Sequence, residues 1–294
     1  MTTIGFVGLG SMGAPLAARL LPGNRVYGTN RTPAKAAALI EGGLIWRNTP
    51  REVAKAADVV FSMVTDDKAL AAITAGPDGI LAGLRPGTLY VDMSTVSPQA
   101  SRELAIRVRA AGATMIDAPV SGSVPAAESG TLAIMVGGPE PAFREAEPLL
   151  CRLGSAVTHV GENGQGLLLK LAINISLAAQ VLAFSEGLLL AERGGIDPEL
   201  AARVMTTSSI GSPLLQARAS LVLDLPEQAW FDVRMLHKDI RLALATAGES
   251  RIPLPAASAA DGVLGQAEAL GYGHRDIASL LQVLAKSGSD SRAA

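Results

Sequence analysis

Residues 3–13 read TIGFVGLGSMG, a glycine-rich turn between a short apolar run and a helix-forming segment. The glycines follow the spacing G-x-G-x-x-G, which is typical of turns that bind the pyrophosphate of a dinucleotide. In such a turn Gly8 permits the tight bend, Gly10 lets the backbone approach the ligand, and Gly13 lets the helix pack close to the strand. The alternative, a glycine turn without a ligand, is disfavoured by the strand–turn–helix context. We therefore predict cofactor contacts along the turn, at Gly8, Leu9, Gly10, Ser11, Met12 and Gly13.

Apolar runs alternate with helix-forming segments through the rest of the first half. We predict strands at 3–7, 25–29, 58–64, 88–93, 114–118 and 132–136. We predict helices at 14–21, 33–41 and 98–111. Strands separated by helices of this length imply right-handed crossover connections. The first half is therefore predicted to be an α/β domain with a mainly parallel sheet, over residues 1–163.

The second half has a different pattern, with helical periodicity and no strand pattern. One run at 165–193 would make a helix about 43 Å long at the usual rise per residue. Further helices are predicted at 198–206, 232–247, 255–270 and 277–285. We expect an all-α domain over residues 164–285 and a disordered tail over residues 286–294.

Composition excludes several classes of protein. The 294 residues carry 25 Lys and Arg against 27 Asp and Glu, a net charge of −2, which argues against a nucleic-acid binder with a basic surface. A single cysteine, Cys151, excludes an internal disulfide framework and an all-cysteine metal site. The three histidines lie far apart in sequence, so no metal site is predicted.

The apolar run at 167–184 raises the question of a membrane span. It contains Lys170, Asn174 and Gln180, and a central lysine costs about 2.5–3.5 kcal/mol on insertion scales. A buried helix of a soluble protein explains the same run at a smaller cost, so no membrane association is expected. The N-terminus has no basic segment typical of a signal peptide, and we expect a cytoplasmic protein.

The end of the second strand predicts which dinucleotide binds. NAD sites usually have an acidic residue there for the ribose 2′-hydroxyl, but this chain has Asn30, Arg31 and Thr32. A guanidinium pairs well with the 2′-phosphate of NADP(H), which an acidic residue would repel. We therefore predict NADP(H), bound by these three residues; the alternative is that Arg31 is only a solvated loop residue.

Two more segments follow predicted strands, where ligands bind in open α/β sheets. We expect cofactor contacts from Met63, Val64 and Thr65 after one strand and from Thr95 after the next. The alternative, a helix cap or turn residue, stays open for Thr65 in particular.

Lys170 and Asn174 are polar residues in an apolar helical run, and their spacing puts them on one helix face. Desolvation lowers the pKa of a lysine, which makes its ammonium a better proton donor near neutral pH. In a carbonyl reduction such an ammonium stabilises the developing alkoxide and then protonates it. The alternative is a lysine that extends to solvent at the edge of the helix.

A second unusual stretch, DAPVSGS at 117–123, ends a predicted strand with small residues. Backbone N–H groups and hydroxyls at Ser121, Gly122 and Ser123 would suit a substrate carboxylate. An ordinary Ser/Gly loop is the alternative, and the residues alone do not decide between the two.

These segments together resemble the β-hydroxyacid dehydrogenase family along nearly the whole chain. The resemblance rests on GFVGLGSMG at 5–13, DMSTVSP at 92–98, DAPVSGS at 117–123, GLLLKLAIN at 166–174 and HKDIRLALA at 237–245. It implies a doubly wound Rossmann domain, a long interdomain helix, and an all-α C-terminal domain that supports a homodimer or homotetramer.

The resemblance also assigns roles to residues. It implies that Lys170 is catalytic, that Ser121, Gly122, Ser123 and Asn174 bind substrate, and that Thr95 and Lys238 contact the cofactor. Phe231 is a candidate pocket residue, although it would also suit a core position. His237 is adjacent to Lys238 and cannot share its helix face, so we expect Lys238 to face the site.

The sequence SGS at 121–123 is similar to the glyoxylate and succinic semialdehyde reductases of the family. The expected reaction is NADPH-dependent reduction of a small carboxylate-bearing aldehyde to the hydroxy acid, with Lys170 as general acid. The alternatives are a 3-hydroxyisobutyrate or tartronate semialdehyde enzyme, an imine reductase, which would usually lack Lys170, and a non-catalytic cofactor-binding protein that dimerises.

Overall fold

The computed structural model describes residues 2–290, with side chains described up to residue 286. It divides into two compact units, one ending at Lys170 and the other beginning at Leu171. The first unit is α/β and the second is helical, so the predicted fold class is confirmed. The domain boundary predicted after residue 163 stays a prediction, and the division between the units falls seven residues later, within the long helix.

The first unit is built on one sheet of nine described strands. These are β1 (Thr3–Val7), β2 (Arg25–Thr29), β3 (Ile45–Trp46), β4 (Val59–Ser62), β5 (Leu89–Asp92), β6 (Thr114–Asp117), β7 (Val120–Ser121), β8 (Leu132–Gly137) and β9 (Gly154–Gly161). The strand order 3-2-1-4-5-6 is parallel throughout, and β8 pairs antiparallel with β6 and β7 and parallel with β9. This is the doubly wound order, in which ligands bind at the carboxyl ends of the strands where the order reverses, between β1 and β4.

Helices of the first unit connect these strands. They are α1 (Gly13–Leu20), α2 (Ala37–Glu41), α3 (Pro50–Ala56), α4 (Asp67–Thr74), α5 (Pro98–Ala110), α6 (Val124–Ser129), α7 (Glu140–Leu150) and the beginning of α8 (Gln165–Arg193). The helix predicted at 33–41 is wrong in its first half, which is a 3₁₀ turn over Pro33–Ala36. There the Lys35 amide bonds the Thr32 carbonyl three residues back, and the α-helical pattern begins only at Ala37.

Two aliphatic cores cover the two faces of the sheet, as a parallel sheet requires. Ile4 and Phe6 of β1 belong to one core, where the Phe6 and Phe61 rings stack with centroids 6.0 Å apart. Val7 faces the other core, which contains Val60 and Tyr90. The alternation along β1 therefore fixes the register of the central strand, and with it the position of the turn that follows.

The second unit consists of helices. After the rest of α8 come α9 (Pro198–Thr207), α10 (Pro213–Leu223), α11 (Val233–Glu249), α12 (Pro255–Ala269) and α13 (Leu280–Asp290). The tail expected to be disordered from residue 286 instead begins within α13, where the Lys286 ammonium lies over the Tyr272 ring at 5.1 Å. Residues 291–294 of that expected tail lie outside the described residues.

A buried ion pair organises the segment before α11. Arg218 of α10 donates to Asp276 at 2.6 Å, and both side chains are almost fully buried. The other carboxylate oxygen of Asp276 accepts from the backbone amides of Trp230 and Phe231. Asp276 therefore neutralises a buried cation and satisfies a loop that would otherwise leave its amides without partners.

Within residues 2–290, α8 is the one helix that is long and apolar enough to cross a membrane, judged by length and composition alone. The most apolar window of this helix is 44% buried inside the protein. A single such helix is weak evidence for a span, because the core helix of a soluble protein has the same properties.

Candidate active site

The glycine-rich turn has the geometry that its sequence predicts. Gly8 has φ +96°, and a Cβ there would lie 2.3 Å from the Met63 carbonyl oxygen. A Cβ at Gly13 would lie 1.9 Å from the Gly8 carbonyl oxygen, so α1 begins directly against the turn. A Cβ at Gly10 would meet no atom within 4 Å, which leaves the backbone open to a ligand. Packing therefore requires glycine at positions 8 and 13. Glycine at position 10 is required only if a ligand approaches the backbone.

The segment after β2 is tied to this turn. Asn30 Oδ1 accepts a hydrogen bond from the Leu9 amide at 3.1 Å, while Asn30 Nδ2 donates to the Thr32 carbonyl. Arg31, between them, is exposed at the carboxyl end of the strand. Lys35 lies one turn further along the chain, a second exposed cation that the sequence analysis did not single out. The segment after β2 therefore offers two exposed cations, Arg31 and Lys35, that would suit an anionic group of a ligand.

A buried polar network holds the segments after β4 and β5 together. The Val64 amide donates to Ser94 Oγ at 2.9 Å, and the Ser94 and Ser62 hydroxyls both donate to Asp92 Oδ1. Burial raises the pKa of Asp92, and the hydrogen bonds from the two serines oppose this only in part. Asp92 thus supports two loops predicted to contact cofactor. The sequence alone does not assign this role to Asp92. Its one signal there is a polar residue at the end of a continuous apolar strand.

The alternative role considered for Thr65, as the helix cap, belongs to its neighbour. Asp66 accepts a hydrogen bond from the Ala69 amide at 2.7 Å and is the N-cap of α4. Thr65 follows β4, and its Oγ1 donates to Asp66. Thr95 follows β5 and is half-buried. Both threonines therefore lie at the carboxyl edge of the sheet, and their contact with cofactor stays a prediction.

Asp117 at the end of β6 bonds the beginning of α8. Its Oδ1 accepts from the Gly164 amide at 2.6 Å, and its Oδ2 accepts from the Leu167 amide at 3.1 Å. The side chain is fully buried, and desolvation raises the pKa of Asp117 from 3.8 to about 6 although both hydrogen bonds act in the opposite direction. This residue was quoted within a motif but received no role from the sequence.

The segment predicted to bind the substrate carboxylate follows β6 in the chain. Ser121 ends β7, and Ser123 precedes α6. Gly122 has φ +126°, and a Cβ there would lie 2.7 Å from the Leu132 side chain, so only glycine fits this bend. The loop therefore has a fixed, small-residue backbone, as a site that binds an anion through N–H groups and hydroxyls would need.

Lys170 lies in the second turn of α8 and is only 7% exposed. Asn174, one turn further and in the second unit, is fully buried. Its Nδ2 donates to Asp239 Oδ2 at 2.6 Å, and Lys238 Nζ lies 2.8 Å from Asp239 Oδ1. Asp239 thus links two predicted site residues within that unit.

His237 and Lys238 bind different partners, as expected for adjacent residues of a helix. The two ring nitrogens of His237 contact Glu268 and Asp261 of α12. Phe231 packs against the core of the second unit, so its role in substrate binding stays a prediction.

The structure groups the predicted residues in two sets. The predicted cofactor residues other than Lys238 lie with Ser121, Gly122 and Ser123 at the carboxyl ends of strands in the first unit. The second unit contains Asn174, Phe231 and Lys238, of which Asn174 and Lys238 share one carboxylate. Lys170 is the last residue of the first unit.

Comparison with known proteins accounts for both units. Residues 3–161 match the family described as the NAD binding domain of 6-phosphogluconate dehydrogenase. Residues 164–284 match the family described as NAD-binding of NADP-dependent 3-hydroxyisobutyrate dehydrogenase.

Individual relatives are similar over most of their length. The chain is 33% identical to 2-(hydroxymethyl)glutarate dehydrogenase of Eubacterium barkeri, over 95% of this chain and 94% of that protein. It is 31% identical to glyoxylate/succinic semialdehyde reductase 2 of Arabidopsis thaliana, over 96% of this chain and 79% of that protein. A solved structure of 3-hydroxyisobutyrate dehydrogenase from Mycobacterium tuberculosis, with L-serine, has a TM-score of 0.85 at 30% identity, over 97% of this chain and 99% of that one.

Proposed function

The chain belongs to the β-hydroxyacid dehydrogenase family and is a nicotinamide-dependent oxidoreductase, and on that premise we propose that it reduces a small aldehyde acid with NADPH. The proposed substrates are of the glyoxylate or succinic semialdehyde type, and the products are the hydroxy acids. The observation that carries the proposal is the burial of Lys170, a cationic side chain in an apolar helix that is only 7% exposed. Burial of an ammonium costs free energy, and ionisable groups in such environments are concentrated at functional sites.

The residues of this chain supply binding and a proton, while the bound nicotinamide cofactor supplies the hydride. Lys170 donates a hydrogen bond from Nζ to the substrate carbonyl oxygen and transfers a proton to it as negative charge develops there. Ser121 and Ser123 bind the substrate carboxylate through their hydroxyls, with the backbone of Gly122 held in place between them. Asn174 is the proposed substrate-binding residue of the second unit, where Asp239 orients its side chain by accepting from Nδ2.

The preference for NADPH is supported by charge. No acidic residue follows β2 directly, and the segment after β2, which Asn30 ties to the glycine-rich turn, has Arg31 and Lys35 exposed. Arg31→Ala is expected to weaken NADPH binding at least tenfold and to leave NADH binding within twofold, because only NADPH has a 2′-phosphate to lose its partner. Equal weakening for both cofactors would contradict the proposed specificity.

A homo-oligomer is the proposed assembly. Large apolar side chains are exposed at the end of α8 and on α9, where Leu190 is 76% and Val204 56% exposed, with Ile196 and Leu200 between them in sequence. Exposed apolar side chains on neighbouring segments are typical of a surface that a partner subunit covers. A strictly monomeric species in sedimentation at micromolar concentration would contradict this proposal.

The activity is tested with NADPH oxidation by the purified protein in the presence of glyoxylate, succinic semialdehyde and tartronate semialdehyde. Lys170→Met keeps the length of the side chain and removes the ammonium, and a loss of about a hundredfold or more in kcat is expected for removal of a general acid. Lys55→Met, which changes an exposed lysine of α3, is the matched control and should retain full activity. A Lys170→Met enzyme that keeps more than a tenth of wild-type kcat would remove this residue from its role.

A further inference from the structure

The carboxylate of Asp117 holds the first turn of α8. Its two oxygens accept from the Gly164 and Leu167 amides at 2.6 and 3.1 Å, 47 and 50 residues away in sequence. These amides belong to the group that a helix N-terminus leaves without intrahelical partners. A negative charge at this end is also favoured by the helix dipole. The side chain is therefore both a hydrogen-bond acceptor and a counter-charge for the longest helix in the described chain.

Two glycines enclose this carboxylate, and no residue with a Cβ fits at either position. A Cβ at Gly137 of β8 would lie 2.8 Å from Asp117 Oδ2, and a Cβ at Gly166 of α8 would lie 2.7 Å from the same atom. The bare backbone of α8 therefore sits directly on the end of β6, with no side chain between the helix and the carboxylate. Such close contact leaves the helix little freedom to rotate or slide.

The position of Leu167 determines where Lys170 points. The Leu167 amide is fixed by Asp117, and its side chain is fully buried in the core that covers one face of the sheet. An α-helix turns by about 100° per residue, so a helix fixed at Leu167 is also fixed three residues later. We infer that Asp117 is a positioning residue for Lys170, which sets the rotation and height of α8 and thereby the place of the amine. The inference rests on the proposed role of Lys170 as general acid.

Both hydrogen bonds require the ionised carboxylate. A carboxylic acid or an amide would turn a donor group toward one of the two N–H groups and lose that bond. Burial raises the pKa of Asp117 to about 6, and Asp92 on the neighbouring strand adds to the increase. His159 of β9 and Lys170 itself are titratable side chains on the elements that follow. The charged side chains of the two helices packed against β6 are exposed or, for Glu147, half-buried: Arg102, Glu103, Arg107 and Arg109 of α5 and Glu140, Arg144, Glu145 and Glu147 of α7. We therefore expect the amine to be held in place above about pH 6 and released below it.

The test compares Asp117→Asn with Asp197→Asn, a matched loss of a helix cap. Asp197 caps α9, which carries no predicted site residue, by accepting from the Leu200 amide at 2.9 Å. Asp117→Asn is expected to lose at least tenfold in kcat with a Kd for NADPH within twofold of wild type, and Asp197→Asn to change neither. Retention of kcat within twofold in Asp117→Asn would overturn the inference.

A second measurement does not depend on turnover. Acetylation of Lys170 by acetic anhydride, followed by mass spectrometry and normalised to the exposed Lys55, should be at least threefold faster in Asp117→Asn than in wild type. An unchanged ratio would refute the positioning role. If wild type reduces none of the aldehydes, the proposed function has failed, and this labelling ratio still decides whether Asp117 positions the amine.

A third test uses the wild-type protein alone and therefore does not depend on whether a variant folds. The amide resonances of Gly164 and Leu167 in nitrogen-15-labelled protein should titrate together, with a midpoint near pH 6 that coincides with the acid limb of kcat. Midpoints that differ by more than about one pH unit would separate the helix contact from catalysis and overturn the inference.

Discussion

Replacement of Asp117 by asparagine should change the way in which stability depends on pH. The pKa of Asp117 is about 6 in the folded protein against 3.8 for an exposed carboxyl, so the folded state binds the proton more tightly. A raised pKa means that the free energy of unfolding decreases as pH rises from about 3.8 to about 6. The difference of about 2 pKa units corresponds to about 3 kcal/mol at 1.36 kcal/mol per unit.

Asparagine has nearly the same shape and does not titrate, so the variant lacks this contribution. The free energy of unfolding of wild type minus that of Asp117→Asn should therefore fall by about 2 kcal/mol between about pH 4.5 and 7.5, the part of the transition in this window. Urea unfolding of both proteins at a series of pH values measures the difference.

Asp58→Asn is a control of opposite sign. The pKa of Asp58 is lowered, chiefly by its hydrogen bond from Thr3, so its contribution to stability is present above about pH 3.8 and lost as pH falls. Parallel wild-type and Asp117→Asn curves over the whole range would refute the reasoning, because they would mean that burial does not raise the pKa of Asp117.

Three further substitutions test other parts of the structure. Asp276→Ala leaves the Arg218 guanidinium buried without its carboxylate and should lower the free energy of unfolding by about 3–5 kcal/mol, measured by urea unfolding; a loss below about 1 kcal/mol would contradict the buried ion pair. Gly13→Ala should fold poorly, because its Cβ would lie 1.9 Å from the Gly8 carbonyl oxygen, and a thermal midpoint equal to wild type would show that the turn is not close-packed. Gly10→Ala meets no atom within 4 Å and should keep the wild-type midpoint but bind NADPH at least tenfold more weakly in a fluorescence titration, whereas unchanged binding would exclude the dinucleotide from this turn.

The sequence predicts the central sheet well because its strands are buried on both faces. Strands such as Val59–Ser62 and Leu89–Asp92 are continuous apolar runs between helices, and their existence follows from composition and spacing. The two-residue strand Ile45–Trp46 is too short to show a pattern, and β9 has an exposed face and a mixed sequence. Both are strands because a neighbouring strand offers hydrogen bonds, which is information that the segment itself does not contain.

The candidate site divides in the same way. Residues that would touch a ligand, such as Gly10 and Lys170, stand out because each breaks the local pattern of its own segment. Residues that support them do not stand out, because their partners are distant in sequence. Asp117 bonds amides 47 and 50 residues away, and Asn174 bonds Asp239, 65 residues away. Spacing within a helix or strand carries no signal for such contacts, so they become visible only in three dimensions.

Asp92 and Asp117 are paired across neighbouring strands, and both are fully buried at the edge where the predicted ligand contacts lie. Burial raises the pKa of each, so each costs stability at neutral pH that an uncharged residue would not. Among side chains of this size, only a carboxylate accepts hydrogen bonds from separate donors at both oxygens, which is what Asp117 does for the Gly164 and Leu167 amides. The charge is therefore retained for geometry rather than for stability. Stability given up at a predicted site is what we expect where the position of a few atoms matters more than the free energy of unfolding.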